Sequence, residues 1–430
     1  MTTYARRLGL FSGTMAVVGG IIGGGIFRTP VTVAERLRSP GFVLLAWVIG
    51  GIVALIGAFC FGELGHRRPR AGGGYVYLRE TFGALPAFLY GWTLVLVIAT
   101  GAIAAVSVTF ADYMLALVGL PHRYSPGLAV AAIVFLSGIN YIGVRPAAIT
   151  QNIFTLLKLM ALAVLIGAGV FLAAAPPPSA ALSPPPSFAA IGGALVPILF
   201  TYGGWQQTNF IAEEIIEPEK NLPRALVFGV AIAIGVYLLT NIAYLRVLGV
   251  AGLAASTAPA ADTMERVLGP AGGKLIAAGI AISTIGFLNL VILVTPRVLH
   301  AMAADGVFFR RLAVLHPVYQ TPTAATIALA LFASVLTLTG TFRQLVDYVT
   351  FGDWLFFASV VATLYVYRAR DHGRDTAFGV PGYPLTPALF VLVSLYIVVS
   401  AVESSPRNSA ISAGLIVLGI PAFLYWRNRP

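Results

Sequence analysis

Between Lys158 and Glu213 the chain carries no charged residue. Shorter uncharged runs recur along its length: Gly41 to Gly62, Thr81 to Ala111, Tyr124 to Val144, Ala225 to Leu245, Leu275 to Pro296, Thr376 to Val402 and Asn408 to Trp426. A bilayer's hydrocarbon core takes about 20 apolar residues per helix, so twelve crossings use about 240. That matches a 430-residue chain that is 58% hydrophobic. Only 10% of the residues are charged, against roughly 25% in a soluble domain. A soluble enzyme, a disordered chain and a disulfide scaffold are excluded, and the chain is an integral membrane protein. The runs predict an all-α fold with helices near 8–37, 41–65, 84–116, 125–143, 146–173, 189–212, 223–248, 273–303, 321–340, 342–367, 384–402 and 408–426. Pro176 to Pro178 and Pro184 to Pro186 mark an extended connection between the fifth and sixth.

The net charge of +11 reads as cytoplasmic loops beside apolar segments and not as a nucleic-acid surface. Arg67, Arg68 and Arg70 dominate one inner loop, and Arg368, Arg370 and Arg374 another. This asymmetry predicts a multi-pass protein of the cell membrane, plasma or bacterial inner, with both termini cytoplasmic. Arg28 and Lys158 are the basic residues placed within spans. The N-terminal apolar run is read as a retained first helix, since no cleavage site leads into a polar chain. Cys60 is the single cysteine and closes no intramolecular disulfide, and five scattered histidines predict no metal centre. No cofactor is expected.

Two helices carry glycine-rich interruptions. The first contains Gly19-Gly20-Ile21-Ile22-Gly23-Gly24-Gly25 before Pro30, and the sixth contains Phe200-Thr201-Tyr202-Gly203-Gly204-Trp205 after Pro197. Each glycine weakens a helix by about 1 kcal/mol relative to alanine. Either run alone reads equally as close helix packing or as a break lining a cavity. Their occurrence in the first and sixth helices favours breaks, because interruptions at matching positions of two halves mark a transporter site. Free N–H groups at a break hold a carboxylate and unwound carbonyls hold an ammonium, the chemistry of a zwitterionic amino acid. A phosphate loop is excluded: no strand precedes the glycines and no Gly-Lys-Ser/Thr follows.

At this point the chain resembles the amino acid–polyamine–organocation superfamily, and within it the L-amino acid transporter (LAT-like) family. The matching segments are Val18 to Phe27, Pro69 to Leu78 after helix 2, Asn140 to Arg145 with Gln151 to Thr155 and Lys158, and Phe200 to Asn209. Glu213-Glu214 and Pro218 to Arg224 extend the last of these. Weaker matches are Ser283-Thr284, Phe351 to Trp354 and Pro381 to Pro387. The resemblance implies a LeuT-like fold of two inverted five-helix repeats, residues 1–174 and 189–368, plus two further helices over 384–426. It implies a substrate between the two breaks. Ile21, Gly23, Gly24, Gly25, Phe200, Thr201, Gly203, Trp205, Gln206, Phe351 and Trp354 would form the site. In this scheme Gly24 and Gly25 offer N–H groups to the carboxylate, and the carbonyls of Ile21, Phe200, Thr201 and Gly203 take the amine. Phe200 acts as the outer lid. Lys158 stands in the place of a sodium ion, with its amine near Gly19 or Gly20 and the hydroxyls of Ser283 or Thr284. The chain departs from the family at Gly24, where relatives often have serine, at Gln206 and Gln207, and at Asp353, where asparagine is expected.

An ionisable group about 18 Å along a helix, as Lys158 is, is functional by default; it is compatible both with sodium-independent exchange and with proton uptake. Arg28 is read as reaching the outer headgroups or a carboxylate, or else as lining the outer vestibule. Glu213, Glu214, Glu217 and Glu219 close helix 6 on the inside, either solvated or paired with basic inner loops. Glu63 is expected to be structural and Asp112 interfacial. Tyr4, Tyr90, Trp92 and Trp426 are read as interfacial belt residues.

The chain is thus expected to be a sodium-independent, alternating-access carrier of neutral L-amino acids, working by exchange or proton symport, and not an enzyme: no H-E-x-x-H or G-x-S-x-G occurs. The alternatives are a carrier of cationic amino acids or polyamines, favoured by Asp353 and opposed by Arg28, and a non-transporting amino acid sensor. Metazoan members of the family pair with a single-span glycoprotein through a cysteine between helices 3 and 4. Here Gly119 to Ser125 has none, so no disulfide-linked heavy subunit is expected, and the chain is expected to be a monomer or weak homo-oligomer.

Overall fold

The computed structural model describes residues 3–173, 186–340, 342–371 and 377–427, with the side chains of 188, 189 and 342–348 outside the description. The proline-rich connection thus falls largely outside the described residues. The described chain is nearly all helix. In order, α1 is Leu10–Ile21, α2 Thr29–Leu37, α3 Pro40–Arg67, α4 Gly74–Phe82, α5 Ala84–Thr93, α6 Thr100–Val118, α7 Ser125–Tyr141 and α8 Val144–Gly167. Then come α9 Phe188–Thr201, α10 Pro218–Ala255, α11 Pro259–Leu268, α12 Pro270–Ala304, α13 Thr323–Thr339, α14 Phe342–Arg370, α15 Leu385–Ser404, α16 Pro406–Val417 and α17 Gly419–Arg427.

Among the described residues, nine helical stretches are long and apolar enough to cross a bilayer. The other three expected crossings are the 17-residue α13 and two interrupted rods. The first rod is α1 and α2 joined by a 3-10 turn at Gly25–Phe27. The second is α9 followed by a 3-10 segment at Trp205–Glu214. The twelve expected crossings are therefore all present. The rods pack centrally: α1 lies against α8, α10 and α12, and α3 lies along α10. Apolar side chains cover the outside as well as the core, as at Phe135, Phe171 and Leu331, which a hydrocarbon surround permits and water does not.

Two short helices differ from expectation. The segment after helix 2 is not all loop, since α4 begins at Gly74. Gly73 turns the chain with a φ of +47°, and a Cβ there would press on Asn209. Between α10 and α12, α11 is an amphipathic helix starting at Pro259. A π-helical segment, Leu94–Ala99, joins α5 to α6 in the third crossing.

Candidate functional site

The first break follows from the glycines of α1. The N–H of Gly23 turns back to Ile21 O at 2.9 Å. The amides of Gly24 and Gly25 have no intramolecular acceptor among the described residues. These glycines serve opposite purposes. A Cβ on Gly19 would run into the Gln151 side chain, and one on Gly20 would meet the Gly204 carbonyl. Gly24 has nothing within 4 Å of where its Cβ would stand. Gly19 and Gly20 are thus small for packing, while Gly24 is bare toward open space.

The second break centres on Gly204, whose φ of +106° is a glycine conformation and whose Cβ would overlap the Gly20 carbonyl. The two breaks therefore touch backbone to backbone. Tyr237 of α10 ties them together: its hydroxyl donates to Ile21 O at 2.7 Å and is 3.2 Å from Thr201 O. Thr29 and Thr201 hydroxyls meet at 2.7 Å, and the Gln206 amide oxygen accepts from Gly204 N at 3.0 Å. Two of the four carbonyls expected to take an amine, those of Ile21 and Thr201, thus already share a tyrosine. Phe200 O accepts from Gly203 N at 3.1 Å, and Gly203 O has no donor among the described residues.

A cavity of about 290 Å³ opens at these breaks, at the small end of the range for small-molecule sites, roughly 300–1,000 Å³. Ile21, Gly23, Gly24, Gly25, Phe200, Thr201, Gly203, Gln206 and Trp354 all line it. So do Ile98 and Ala102 of the third crossing, Phe287 of α12, and Val349, Asp353 and Phe357 of α14. Ile98 sits in the π-helical segment, a local widening that occurs often at functional sites. Trp205 and Phe351 are not among the lining residues. Trp205 is buried behind the wall, packed on Phe61, Phe357 and Phe390. Phe200 lines the cavity and stands 48% exposed.

Behind the first break lies Lys158, 1% exposed. Its Nζ donates to Ile22 O at 2.7 Å and to Gly19 O at 3.2 Å. Ser283 Oγ donates to the same Ile22 carbonyl at 3.2 Å. The amine thus binds Gly19 and Ile22, not Gly20, and reaches Ser283 only through a shared acceptor. Thr284 Oγ1 bonds back to Ile280 and Ala281 of its own helix. Beside the lysine, Asn140, Asn289 and Gln151 form a buried amide chain from α7 through α12 to α8.

The end of the bundle that holds the N-terminus is closed by ion pairs. Glu214 and Arg297 are both fully buried, with Nε to Oε1 at 2.6 Å. Arg297 is therefore a further basic residue within a span, and Glu214 of helix 6 takes its partner from α12, not from a basic loop. The N-terminal segment lies alongside: Arg7 N and Leu8 N donate to Glu214 O at 2.9 Å. Tyr4 is buried edge-on to His300, and Tyr90 is 6% exposed, so neither is a belt residue. Glu63, fully buried, accepts from Arg67, from Arg368 at 2.6 Å and from Val380 N. Arg67 and Arg68 both reach Asp371 at 3.1 Å. Burial works against ionisation of Asp371, but hydrogen bonds from Arg68 and Arg67 outweigh it and hold the carboxyl below its ordinary value. Arg28 is exposed and has no ion pair among the described residues. Asp112 sits with Ser125 and His122 at the far end.

Sequence reading missed Tyr237 and Arg297. Tyr237 is one aromatic within an uncharged run, with no spacing to single it out. Arg297 directly follows such a run, where a basic residue ordinarily opens a loop.

Comparison with known proteins converges on the same chemistry. Residues 8–425 match the amino acid permease family. The b(0,+)-type amino acid transporter 1 of Homo sapiens is 33% identical over 97% of this chain and 87% of its own length. The large neutral amino acids transporter small subunit 2 of Mus musculus is 31% identical over 99% of the chain and 82% of its own length. The Asc-type amino acid transporter 1 of Mus musculus matches at 31% over the same shares. A multi-pass helical chain with paired helix breaks around one small cavity, matched nearly end to end by amino acid transporters, belongs to the amino acid permease family of the amino acid–polyamine–organocation superfamily.

Proposed function

We propose that this amino acid transporter carries neutral L-amino acids without sodium, by exchange or by proton symport. The observation that carries the reading is the ammonium of Lys158 on the carbonyls of Gly19 and Ile22. An amine donating to the carbonyls of the first break takes the place of a bound metal cation, and it holds the backbone beside Gly24 and Gly25, which line the cavity. Those amides take the substrate carboxylate, and the Gly203 and Phe200 carbonyls take the amine. Lys158, Gly19 and Ser283 form the ion-substituting cluster, with Gly20 and Thr284 shaping its wall. The two inverted repeats run over 1–174 and 189–368, and two further helices over 384–426 follow. The ion-paired end carrying the N-terminus is cytoplasmic, so the cavity faces outward. The chain works without a disulfide-linked subunit, since Cys60 is buried in α3.

Uptake of radiolabelled amino acids into proteoliposomes tests this, with and without internal substrate, sodium and an inward proton gradient. Stimulation by internal substrate alone establishes exchange. Accumulation into empty vesicles under a proton gradient establishes symport. A strict sodium requirement refutes the proposal.

A further inference from the structure

We propose that Asp353 reads the substrate's side chain, pairing as a carboxylate with a cationic one and admitting a neutral one with a proton on its own carboxyl. The inference rests on the transport reading above and assigns the side-chain end of that site. Val349, Asp353 and Phe357 recur at four-residue spacing on α14 and all line the cavity. Among the described lining residues Asp353 is the one ionisable side chain, and among the described residues its carboxyl has no hydrogen-bond or ion-pair partner. Most of the cavity wall is apolar, with Ile98, Phe287, Trp354 and Phe357 in it, and its neutral polar side chains are Thr201, Gln206, Gln207 and Thr284.

The backbone of the two breaks supplies donors and acceptors for the amino acid's own carboxylate and amine. Asp353 duplicates neither function and is left for the side chain. A bare carboxylate against apolar walls is costly unless paired or neutralised. A lysine-like side chain supplies the counter-charge. A leucine-like one does not, so the carboxyl takes a proton from water on loading and releases it to water on unloading. Either way the loaded site gains one positive charge.

The other titratable groups nearby do not substitute for this. Tyr90 of α5 is buried edge-on to Phe356 and is not among the cavity-lining residues. Lys158 of α8 is held behind the first break by Gly19 and Ile22, and Arg28 is exposed. The cavity-lining residues of α9, the Trp205–Glu214 segment and α12 bring no charge.

The experiment is competition of radiolabelled L-leucine uptake by L-lysine and by L-methionine, using purified full-length protein in proteoliposomes at pH about 5.5 and about 7.5. The expected result is that lysine gains on methionine by about tenfold or more at the higher pH. Asp353→Asn removes the pH dependence and weakens lysine against methionine by a similar factor, and Asp353→Glu restores both. A ratio that is flat with pH in the wild type, or unchanged in Asp353→Asn, overturns the proposal. If Asp353→Asn does not fold, the wild-type pH series decides alone. Failure to take up any amino acid is a different result: it overturns the transport reading and this proposal with it.

Discussion

Lys158→Ala separates a structural lysine from a functional one. Hydrogen bonds from a charged donor contribute about 1.5–3 kcal/mol each, so the bonds to Gly19 and Ile22 together hold the break with about 3–6 kcal/mol. Opposing this is the desolvation of a buried ammonium, several kcal/mol in its own right. The effects on folding offset, and the melting temperature is expected to move little. The backbone from Ile21 to Gly25 nevertheless loses its tether in full. With one bond's share, about 1.5–3 kcal/mol, expressed in substrate binding, KM rises about ten- to hundredfold. The assay is initial-rate uptake in proteoliposomes beside thermal unfolding in detergent, with Lys158→Met as the variant that keeps the packing. The vacated space faces the Gly19 and Ile22 carbonyls and the Ser283 hydroxyl, so sodium is expected to recover part of the lost affinity in Lys158→Ala. Wild-type KM in both variants, with no response to sodium, would refute the reasoning.

Gly204→Ala places a Cβ on the Gly20 carbonyl from a left-handed φ and is expected to abolish transport, whereas Gly24→Ser points into open space and retains it, read by uptake at matched expression. Glu214→Gln leaves Arg297 buried without its counter-charge and is expected to cost about 3–5 kcal/mol, seen as a lowered midpoint of thermal unfolding. Tyr237→Phe removes the hydroxyl that joins Ile21 and Thr201 and leaves buried acceptors short by about 1–3 kcal/mol, so KM is expected to rise with little change in turnover. Asp371 has a carboxyl held below its ordinary value. Its contribution is therefore complete above the unfolded pKa of about 3.9 and is lost as pH falls through the lower folded value. Stability of the wild type should fall more steeply with acid below about pH 4 than that of Asp371→Asn.

The crossings were legible because a bilayer demands uninterrupted apolar length, and charge marks where each ends. The breaks were legible because glycine clusters are costly inside helices. What could not be read was the reason for each glycine: Gly20 is small because Gly204 lies against it, and Gly24 is small beside empty space. That difference arises where two distant segments meet. The same holds for Lys158, whose depth singled it out but whose second acceptor, Ile22 and not Gly20, depends on how the chain turns after α1. Asp353 was visible as a departure from the family pattern, and only the α14 register shows that it shares a cavity face with Val349 and Phe357.

The polar ties connect two sets of helices. Lys158 joins α8 to the first break, and Arg297 joins α12 to the segment after the second. Arg368 and Asp371, at the end of α14, join Glu63, Arg67 and Arg68 at the end of α3. Each tie thus runs from the first, second or sixth crossing to the fifth, eighth or tenth. Any movement of one set against the other at the ion-paired end must break the Glu214–Arg297 and Glu63–Arg368 pairs together, while the Lys158 contacts lie nearer the cavity. A pair that is strong when made and costly when broken gives two discrete states in place of a continuum. A substrate can bias such an equilibrium only by its differential affinity for the two states. The unbonded amides of Gly24 and Gly25, the Gly203 carbonyl and the carboxyl of Asp353, all at the cavity, are polar groups without partners among the described residues, and there that difference can be generated.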